Sequence, residues 1–389
     1  MFQQPMRHFL PAKNSLCLLL MLAVRANSQV PPRTLPADVG VYLGWVGTYP
    51  GNRLQGGARL AKQAGFQTIR VPLVASAETD FGMGGACHGK QSLESLVSLP
   101  AYAQLLKDRA FRTIFLTVWG DSNSYDACES RDPKTDQHPH KRYLEKAYYS
   151  DAANRDRTRG EYADLTYRLY KTYGGSGKVI GISNWEGDNE LYCDSAYYFA
   201  TNVAFRSSCE AKRKTADALE AYRHFLELRE QGIHSGRQRA LREGLKGVSV
   251  ISVIEVSALR FLKEAHLPSM LEDVIPSVTM PDYVSYSAWE SIGSTSDRLF
   301  RDLRELQNRF KGHAMVGEFG FDRGLDKSAS EHAASAITTM RRAHVSYSIW
   351  WQIFDQPPLT GLGDKGLYGL YDDQGKLTAP GKAFLSAAP

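Results

Sequence analysis

The chain has 389 residues, of which 43% are hydrophobic and 23% are charged, so it is long enough to bury a sizeable core. This composition excludes a disordered chain and a small fold held together by disulfides. Residues 1–28 contain three basic residues and no acidic one, which leaves 44 of the 47 basic residues against 42 acidic residues. A nucleic-acid-binding protein usually concentrates basic residues on one face, and we expect no nucleic-acid partner here.

The N-terminal segment has the pattern of an export signal. Arg7 and Lys13 precede an apolar run over residues 15–24, and small residues follow at 26–28, as in a cleavable signal peptide. The run is shorter than the roughly 20 apolar residues that span a bilayer. We therefore predict a signal peptide at 1–28 and a mature domain at 29–389 that is secreted or periplasmic, monomeric and free of the membrane. The alternatives are an uncleaved anchor and a misassigned start.

Four cysteines remain after residue 28, at positions Cys87, Cys128, Cys193 and Cys209. An even number of cysteines in an exported protein favours disulfides. We predict Cys193–Cys209, which closes a local loop, and Cys87–Cys128 by elimination. No C-x-x-C is present, which argues against a zinc ribbon or a redox motif. Four free thiols would be the better interpretation for a cytosolic protein.

After residue 37 the sequence alternates between short apolar runs and longer stretches with helical spacing. A period near 3.6 between β-rich runs indicates βα units with parallel strands. The predicted strands are Val39–Trp45, Thr68–Leu73, Thr113–Trp119, Val179–Trp185, Val248–Val256, Tyr283–Ser287, Ala314–Phe319 and Ser346–Trp351. The predicted helices between them include Leu54–Ala64, Tyr162–Tyr173, Ala216–Gly232, Ser296–Phe310 and Ser330–Ala343.

Eight such units predict a closed (β/α)8 barrel of the α/β class, a single domain with long loops after strands two and three. An open doubly wound sheet is the alternative, and it usually has a glycine-rich turn after its first strand. The first strand here runs into GWVGTYPGN, which lacks G-x-G-x-x-G. The barrel is therefore favoured, and its functional loops should follow the carboxyl ends of the strands.

All six tryptophans fall at or just beyond the carboxyl ends of predicted strands. Indole faces stack on the apolar faces of sugar rings, so this placement indicates a carbohydrate site. The alternative is that these side chains are large core residues that cap the barrel. The six positions are Trp45, Trp119, Trp185, Trp289, Trp350 and Trp351.

Two strand ends deliver carboxylates. GISNWEGDNE, at 181–190, carries Glu186, and HAMVGEFGFD, at 313–322, carries Glu318. Strand alternation predicts that Ile182, Asn184 and Glu186 share one face. A buried charge needs a partner, and two carboxylates across a pocket are the groups that glycoside hydrolysis requires.

These segments, taken in order, resemble the clan A glycoside hydrolases, the cellulase- and mannanase-like (β/α)8 barrels. The matching segments are GFQTIRVPL, GISNWEGDNE, DYVSYSAW, MVGEFG, SYSIWWQIFD and GLYDDQGKLTAPGKAF. The resemblance implies that Glu186 is the acid/base and Glu318 the nucleophile. It also implies that Arg70 and Tyr286 support Glu318, and that Trp350 floors the sugar site.

The strand-four motif departs from the clan pattern. The clan has an adjacent Asn-Glu pair there, whereas here Trp185 separates Asn184 from Glu186, and the adjacent pair ends at Glu190. Glu190 therefore stays open as the acid/base. We interpret Asp188 as an acid that accepts hydrogen bonds from backbone N–H groups in its loop.

The sequence therefore predicts an exported retaining β-glycoside hydrolase that acts on a β-linked oligosaccharide or polysaccharide. No cofactor or metal is expected. A carbohydrate-binding barrel without catalysis is the main alternative, and a metal-dependent hydrolase is another. Glu255, on the predicted fifth strand, either lines the site or pairs with an internal arginine. The predicted substrate-binding residues are Arg70, Asn184, Tyr286, Trp45, Trp119, Trp289 and Trp350.

Overall fold

The computed structural model describes residues 35–36, 38–44, 47–128, 141–292, 296–358 and 364–388. The predicted signal peptide and Trp45 lie outside these residues. Within the described ranges, no helix combines the length and the apolar character needed to cross a bilayer.

Eight parallel strands close into a barrel, which confirms the predicted fold. Each strand pairs with the next along the chain, and the first pairs with the last. Most strands end within a few residues of their predicted ends, although the first four are shorter because their apolar runs continue into loops. The strands are β1 Val39–Tyr42, β2 Thr68–Pro72, β3 Thr113–Thr117, β4 Val179–Ser183, β5 Ser249–Val256, β6 Tyr283–Ser287, β7 Ala314–Phe319 and β8 Ser348–Trp350.

Helices surround the barrel, and all five predicted helices are present. The helices are α1 Arg53–Gln63, α2 Ala77–Asp80, α3 Leu93–Val97, α4 Pro100–Lys107, α5 Ala152–Tyr173, α6 Gly187–Leu191, α7 Ala196–Thr201, α8 Val203–Lys212, α9 Thr215–Arg242, α10 Leu259–Glu264, α11 Trp289–Ile292, α12 Ser296–Arg309, α13 Ala329–Arg342 and α14 Ala379–Ala387. Short 3-10 segments lie at Arg142–Leu144, Lys146–Ser150 and Ile275–Ser277, and one π turn lies at Met270–Val274. Helix α5 begins earlier than predicted because Asp151 accepts a hydrogen bond from the backbone N–H of Ala153 at its first turn.

The connections at the carboxyl ends of the strands are long, as predicted for those after β2 and β3. A further insertion was not predicted: α6, α7 and α8 follow β4 before α9 begins. Both predicted disulfides are present. Cys87 and Cys128 join the connections after β2 and β3, and Cys193 and Cys209 tie the end of α6 to α8, with Cα–Cα distances of 5.7 Å and 5.9 Å.

The inside of the barrel changes character along its axis. Its lower part is apolar and includes Phe115, Val253, Met315 and Ile349. A Cβ atom at Gly181 would lie 2.3 Å from the Phe115 ring, so this position must be glycine for the ring to fit. Nearer the carboxyl ends the inward side chains become polar, and these form the floor of the site described below.

Helices α5 and α9 pack closely on one side of the barrel because two glycines of α9 face α5. A Cβ atom at Gly232 would lie 2.4 Å from the carbonyl oxygen of Arg159, and one at Gly236 would lie 2.4 Å from that of Ala163. No small movement of a side chain relieves these contacts, since both involve backbone atoms. The absence of side chains therefore sets the distance between the two helices.

Gly236→Ala should lower the free energy of unfolding by about 1–3 kcal/mol, because the added methyl group overpacks the helix contact. Gly160→Ala on α5 is the matched control. Its Cβ would have no atom within 4 Å, so it should be neutral or stabilise the fold by up to about 1 kcal/mol. Urea unfolding of both variants measures the difference, and equal effects would contradict this packing.

Candidate active site

Glu318 reaches the barrel interior through a β-bulge in β7. Tyr286 of β6 pairs with Val316 and the next residue, Ser287, pairs with Glu318, so Gly317 is the extra residue. A bulge changes which face the following side chains occupy. Without it, simple alternation would have placed Glu318 on the helix-facing side. Phe319 occupies that outer side instead.

Arg70 points from β2 into the barrel and is completely buried. Its Nε donates to the Thr117 hydroxyl at 2.8 Å, and its two terminal nitrogens donate to Glu255 at 2.6 Å and 2.9 Å. The same nitrogens also donate to the carbonyl oxygens of Gly317 at 3.1 Å and Asn184 at 3.2 Å. An arginine has five N–H donors, and these five bonds use all of them.

Glu318 therefore receives attraction from Arg70 without a hydrogen bond. Its Oε1 lies 3.5 Å from Nη1 of Arg70, but this oxygen has no hydrogen-bond partner among the described residues. The side chain is only 3% exposed. A buried carboxylate oxygen without a partner is unusual in a folded protein, and it leaves one acceptor available to a molecule that enters the site.

Gly317 makes room for the Arg70–Glu255 ion pair. A Cβ atom at position 317 would lie 2.0 Å from Oε2 of Glu255 and 2.8 Å from Nη1 of Arg70. The bulge residue is therefore glycine because the ion pair occupies the space of its side chain.

Glu186 lies just beyond β4, where the chain turns into α6. Its backbone N–H donates to Oε1 of Glu255 at 3.2 Å. Its carboxyl accepts a hydrogen bond from the Ser287 hydroxyl at Oε1, and one from the Asn189 amide at Oε2 at 2.5 Å. Since Ser287 is also the strand partner of Glu318, the structure brings the two predicted catalytic glutamates to the same place.

Burial raises the pKa of Glu186 to about 7, and the negative charge of Glu255 adds to this effect against the hydrogen bonds from Ser287 and Asn189. Burial also raises the pKa of Glu318 well above its usual range, with a further contribution from Glu255, while Arg70 opposes the shift. Three carboxyl groups share one guanidinium within this cluster, so near neutral pH it should retain a proton.

Asn184 does not share a face with Glu186, contrary to the prediction from alternation. Its side-chain oxygen accepts from the backbone N–H of Glu255 at 2.9 Å, and its amide nitrogen donates to the carbonyl of the same residue at 3.1 Å. Arg229, on α9, approaches that oxygen from outside the barrel at 3.4 Å. Asn184 thus extends the contact between β4 and β5 beyond the end of β4, and only Glu186 turns inward.

Glu190, the open alternative for the acid/base, is held in a different set of contacts. Its oxygens accept hydrogen bonds from the Trp119 indole at 3.1 Å and the Tyr143 hydroxyl at 2.5 Å, and Nζ of Lys141 lies 3.0 Å away. Trp119 is therefore placed against Glu190.

Asp188 accepts hydrogen bonds from the backbone N–H groups of Ser257 and Met270, in agreement with its interpretation as a loop-stabilising acid.

Tyr286 and Trp350 face away from the barrel interior. The Tyr286 hydroxyl contacts Glu290 and Ser291 at 3.0 Å and 2.7 Å instead of Glu318. Trp350 is fully buried, and its ring lies 5.0 Å from that of Phe384 on α14. The resemblance gave these residues roles inside the site, but alternation along β6 and β8 places them on the outer face.

Their neighbours along the chain occupy the inner positions. Ser287 contacts Glu186, and the Trp351 ring lies 4.6 Å from the Tyr42 ring inside the barrel. Alternation along β6 and β8 could have identified both residues. Trp289 also lies close to the site, since its side chain opposes the rise of the pKa of Glu318.

The contacts of Glu255 agree with both roles that the sequence allows for it. It pairs with an internal arginine, Arg70, and it also contacts the Glu186 backbone inside the site. Ser285 donates a further hydrogen bond to it at 2.7 Å. Among the described residues, no group of three or more histidine, cysteine, aspartate or glutamate side chains has the arrangement of a metal site.

No protein-family model matches the sequence, and no curated protein matches it. Solved structures do match. An exo-β-1,4-mannosidase from Opitutaceae bacterium strain TAV5 superposes with a TM-score of 0.54 at 14% identity, covering 92% of this chain and 59% of that chain. The β-glycosidase of the hyperthermophile Thermosphaera aggregans gives a TM-score of 0.54 at 13% identity, covering 92% of this chain and 97% of that one.

A GH5_18 variant from Streptomyces cattleya, solved in complex with Manβ1-4GlcNAc, gives a TM-score of 0.52 at 12% identity, covering 91% of this chain and 80% of that chain. Identities this low establish the shared architecture and nothing finer. The fold expected from the resemblance is therefore confirmed: the chain has a closed eight-stranded parallel barrel, and these glycosidase structures superpose on it.

Proposed function

We propose that the protein is an exported retaining β-glycoside hydrolase, with Glu318 as nucleophile and Glu186 as acid/base. The observation that carries this proposal is the meeting of these two buried carboxyl groups at the ends of β4 and β7, beside one buried guanidinium. Glu186, with its pKa raised to about 7, is suited to donate a proton near neutral pH. A glycosidase requires one carboxyl group that donates a proton and a second that attacks as nucleophile.

In the first step, protonated Glu186 donates its proton to the glycosidic oxygen while an oxygen of Glu318 attacks the anomeric carbon. The bond to the leaving group breaks, and a glycosyl ester forms at Glu318. In the second step, the Glu186 carboxylate takes a proton from water, whose oxygen attacks the anomeric carbon and releases Glu318. Each carboxyl returns to its starting state, so the cycle needs no cofactor.

The surrounding residues support this chemistry. Arg70 lies 3.5 Å from Glu318 and favours its ionised form, and the Trp289 side chain also opposes the rise of the pKa of that carboxyl. Trp351, beside Tyr42, offers an aromatic surface for a sugar ring. Ser287 holds the Glu186 carboxyl in place.

The substrate is expected to be a β-linked oligosaccharide or polysaccharide. Two of the similar structures are described as an exo-β-1,4-mannosidase and a protein bound to Manβ1-4GlcNAc, so β-1,4-mannosides are the first substrates to test. The two disulfides support export, since such bonds persist in oxidising compartments.

Glu318→Gln should abolish turnover of aryl β-glycosides without loss of the fold. Because burial disfavours the charged form of Glu318, the variant should unfold at the same temperature as wild type or higher at pH 8. Activity assays and thermal unfolding measure both effects, and retained turnover would contradict the assignment.

Titration calorimetry of the wild type with oligosaccharides tests the alternative function. Sugar binding without hydrolysis would favour a carbohydrate-binding barrel.

Glu186→Gln and Glu190→Gln form a matched pair that tests which glutamate is the acid/base. Glu186→Gln should lower kcat/KM by about 10²–10⁴-fold on substrates with poor leaving groups. It should have little effect on dinitrophenyl glycosides, whose leaving group needs no proton. Glu190→Gln should chiefly lower stability, because it weakens contacts with Trp119, Tyr143 and Lys141. The reverse pattern of kinetic effects would transfer the acid/base role to Glu190.

The kcat/KM of the wild type should fall as pH rises above about 7, because Glu186 must carry a proton to act as general acid and its pKa is raised to about 7. For dinitrophenyl substrates this alkaline limb should disappear.

Proton NMR of the first sugar released tests the stereochemistry of hydrolysis, and the anomeric configuration of the substrate should be retained. An inverted product would exclude the double-displacement mechanism.

A further inference from the structure

Glu255 is the residue that links the two carboxyls of the proposed mechanism. One of its oxygens accepts from the Glu186 backbone N–H at 3.2 Å and from Arg70 at 2.9 Å. Its other oxygen accepts from Arg70 at 2.6 Å and from the Ser285 hydroxyl at 2.7 Å. The carboxylate is completely buried, and these four bonds fix its position.

Glu255 also determines how the charge of Arg70 is used. The bidentate contact with Glu255 takes two of the five donors of Arg70, and the remaining three go to Thr117 and two backbone carbonyls. Glu318 is left with a 3.5 Å approach and no hydrogen bond from the guanidinium. The charge that would otherwise stabilise ionised Glu318 is therefore shared with a third carboxylate.

The charged and titratable groups that face this cluster come from five strands. They are Tyr42 from β1, Arg70 from β2, Glu186 after β4, Glu255 from β5 and Glu318 from β7. Asp188, on α6, adds a buried carboxyl that interacts with the charge of Glu186. Serine and threonine hydroxyls from β3 and β6 complete the set. With Tyr42 neutral, one positive charge faces three carboxyl groups, and Glu255 has the closest ion pair.

We propose that Glu255 is a positioning residue whose negative charge keeps a proton on the Glu186–Glu318 pair up to neutral pH. It does so in two ways. Its negative charge disfavours ionisation of Glu186 and Glu318. Its contact with Arg70 also prevents the guanidinium from pairing with Glu318 alone. The kinetic part of this inference rests on the proposed hydrolase function, whereas the effect on proton affinity does not.

Glu255→Gln tests the proposal because it removes the charge and retains most of the shape. The midpoint at which the pair loses its proton should move down by about one pH unit or more. Infrared spectroscopy follows the band of the protonated carboxyl through a pH titration, without any substrate. Glu186→Gln assigns that band. If the protein hydrolyses glycosides, the alkaline limb of kcat/KM should move to lower pH by the same amount.

Glu230→Gln is the matched control. Glu230 is also buried and pairs with an arginine, Arg229, at 2.7 Å, but it lies on α9 outside the barrel interior. Its substitution should leave the titration midpoint unchanged even if it lowers stability. Glu255→Asp, which keeps the charge, should restore the midpoint to within about half a pH unit of wild type, while kcat remains reduced because the shorter side chain loses contacts.

A Glu255→Gln protein that has the wild-type midpoint, whatever its activity, would overturn the proposal and assign Glu255 a purely structural role. Should this variant fail to fold, the carboxyl titration of the wild type still tests the proposal. A wild type in which no buried carboxyl titrates above about pH 6 would contradict it. A shifted midpoint in a protein that hydrolyses no glycoside would refute the proposed function and leave the role of Glu255 in proton affinity standing.

Discussion

The site depends on one buried guanidinium. Arg70 donates five hydrogen bonds to groups on four other parts of the barrel, at Thr117, Asn184, Glu255 and Gly317. Breaking a buried ion pair by removing one partner typically costs about 3–5 kcal/mol, so the Arg70–Glu255 pair constrains everything around it. The bulge residue of β7 must be glycine, and the carboxylate of Glu255 also accepts a hydrogen bond from the backbone N–H of Glu186.

The three carboxyl groups of the cluster have different partners. Glu255 receives the full contact with Arg70, Glu318 receives part of its field, and Glu186 depends on neutral donors from Ser287 and Asn189. The three carboxyl groups therefore differ in their partners, although burial raises the pKa of both Glu318 and Glu186. Differences of this kind are what allow one carboxyl to act as an acid while another acts as a nucleophile.

The loop insertion after β4 stabilises the surroundings of Glu186. The carboxylate of Glu190 contacts Trp119, Tyr143 and Lys141. The carboxylate of Asp188 accepts hydrogen bonds from two backbone N–H groups. The Cys193–Cys209 disulfide ties α6 to α8. Several acids arrive together in this segment because most of them hold the loop. Glu186 is the member of the group that turns into the barrel.

The sequence by itself determined the barrel, because eight apolar strand segments separated by helical periodicity have few other arrangements that bury their faces. It also identified both disulfides and the two glutamates that meet. Tertiary structure decided which side chains face inward. A bulge at Gly317 reverses the alternation that would have turned Glu318 outward, whereas unbroken alternation along β6 and β8 turns Tyr286 and Trp350 outward. The partner of Arg70 also depended on the fold, since Glu255 lies 185 residues away along the chain and only closure of the barrel brings the two charges into contact.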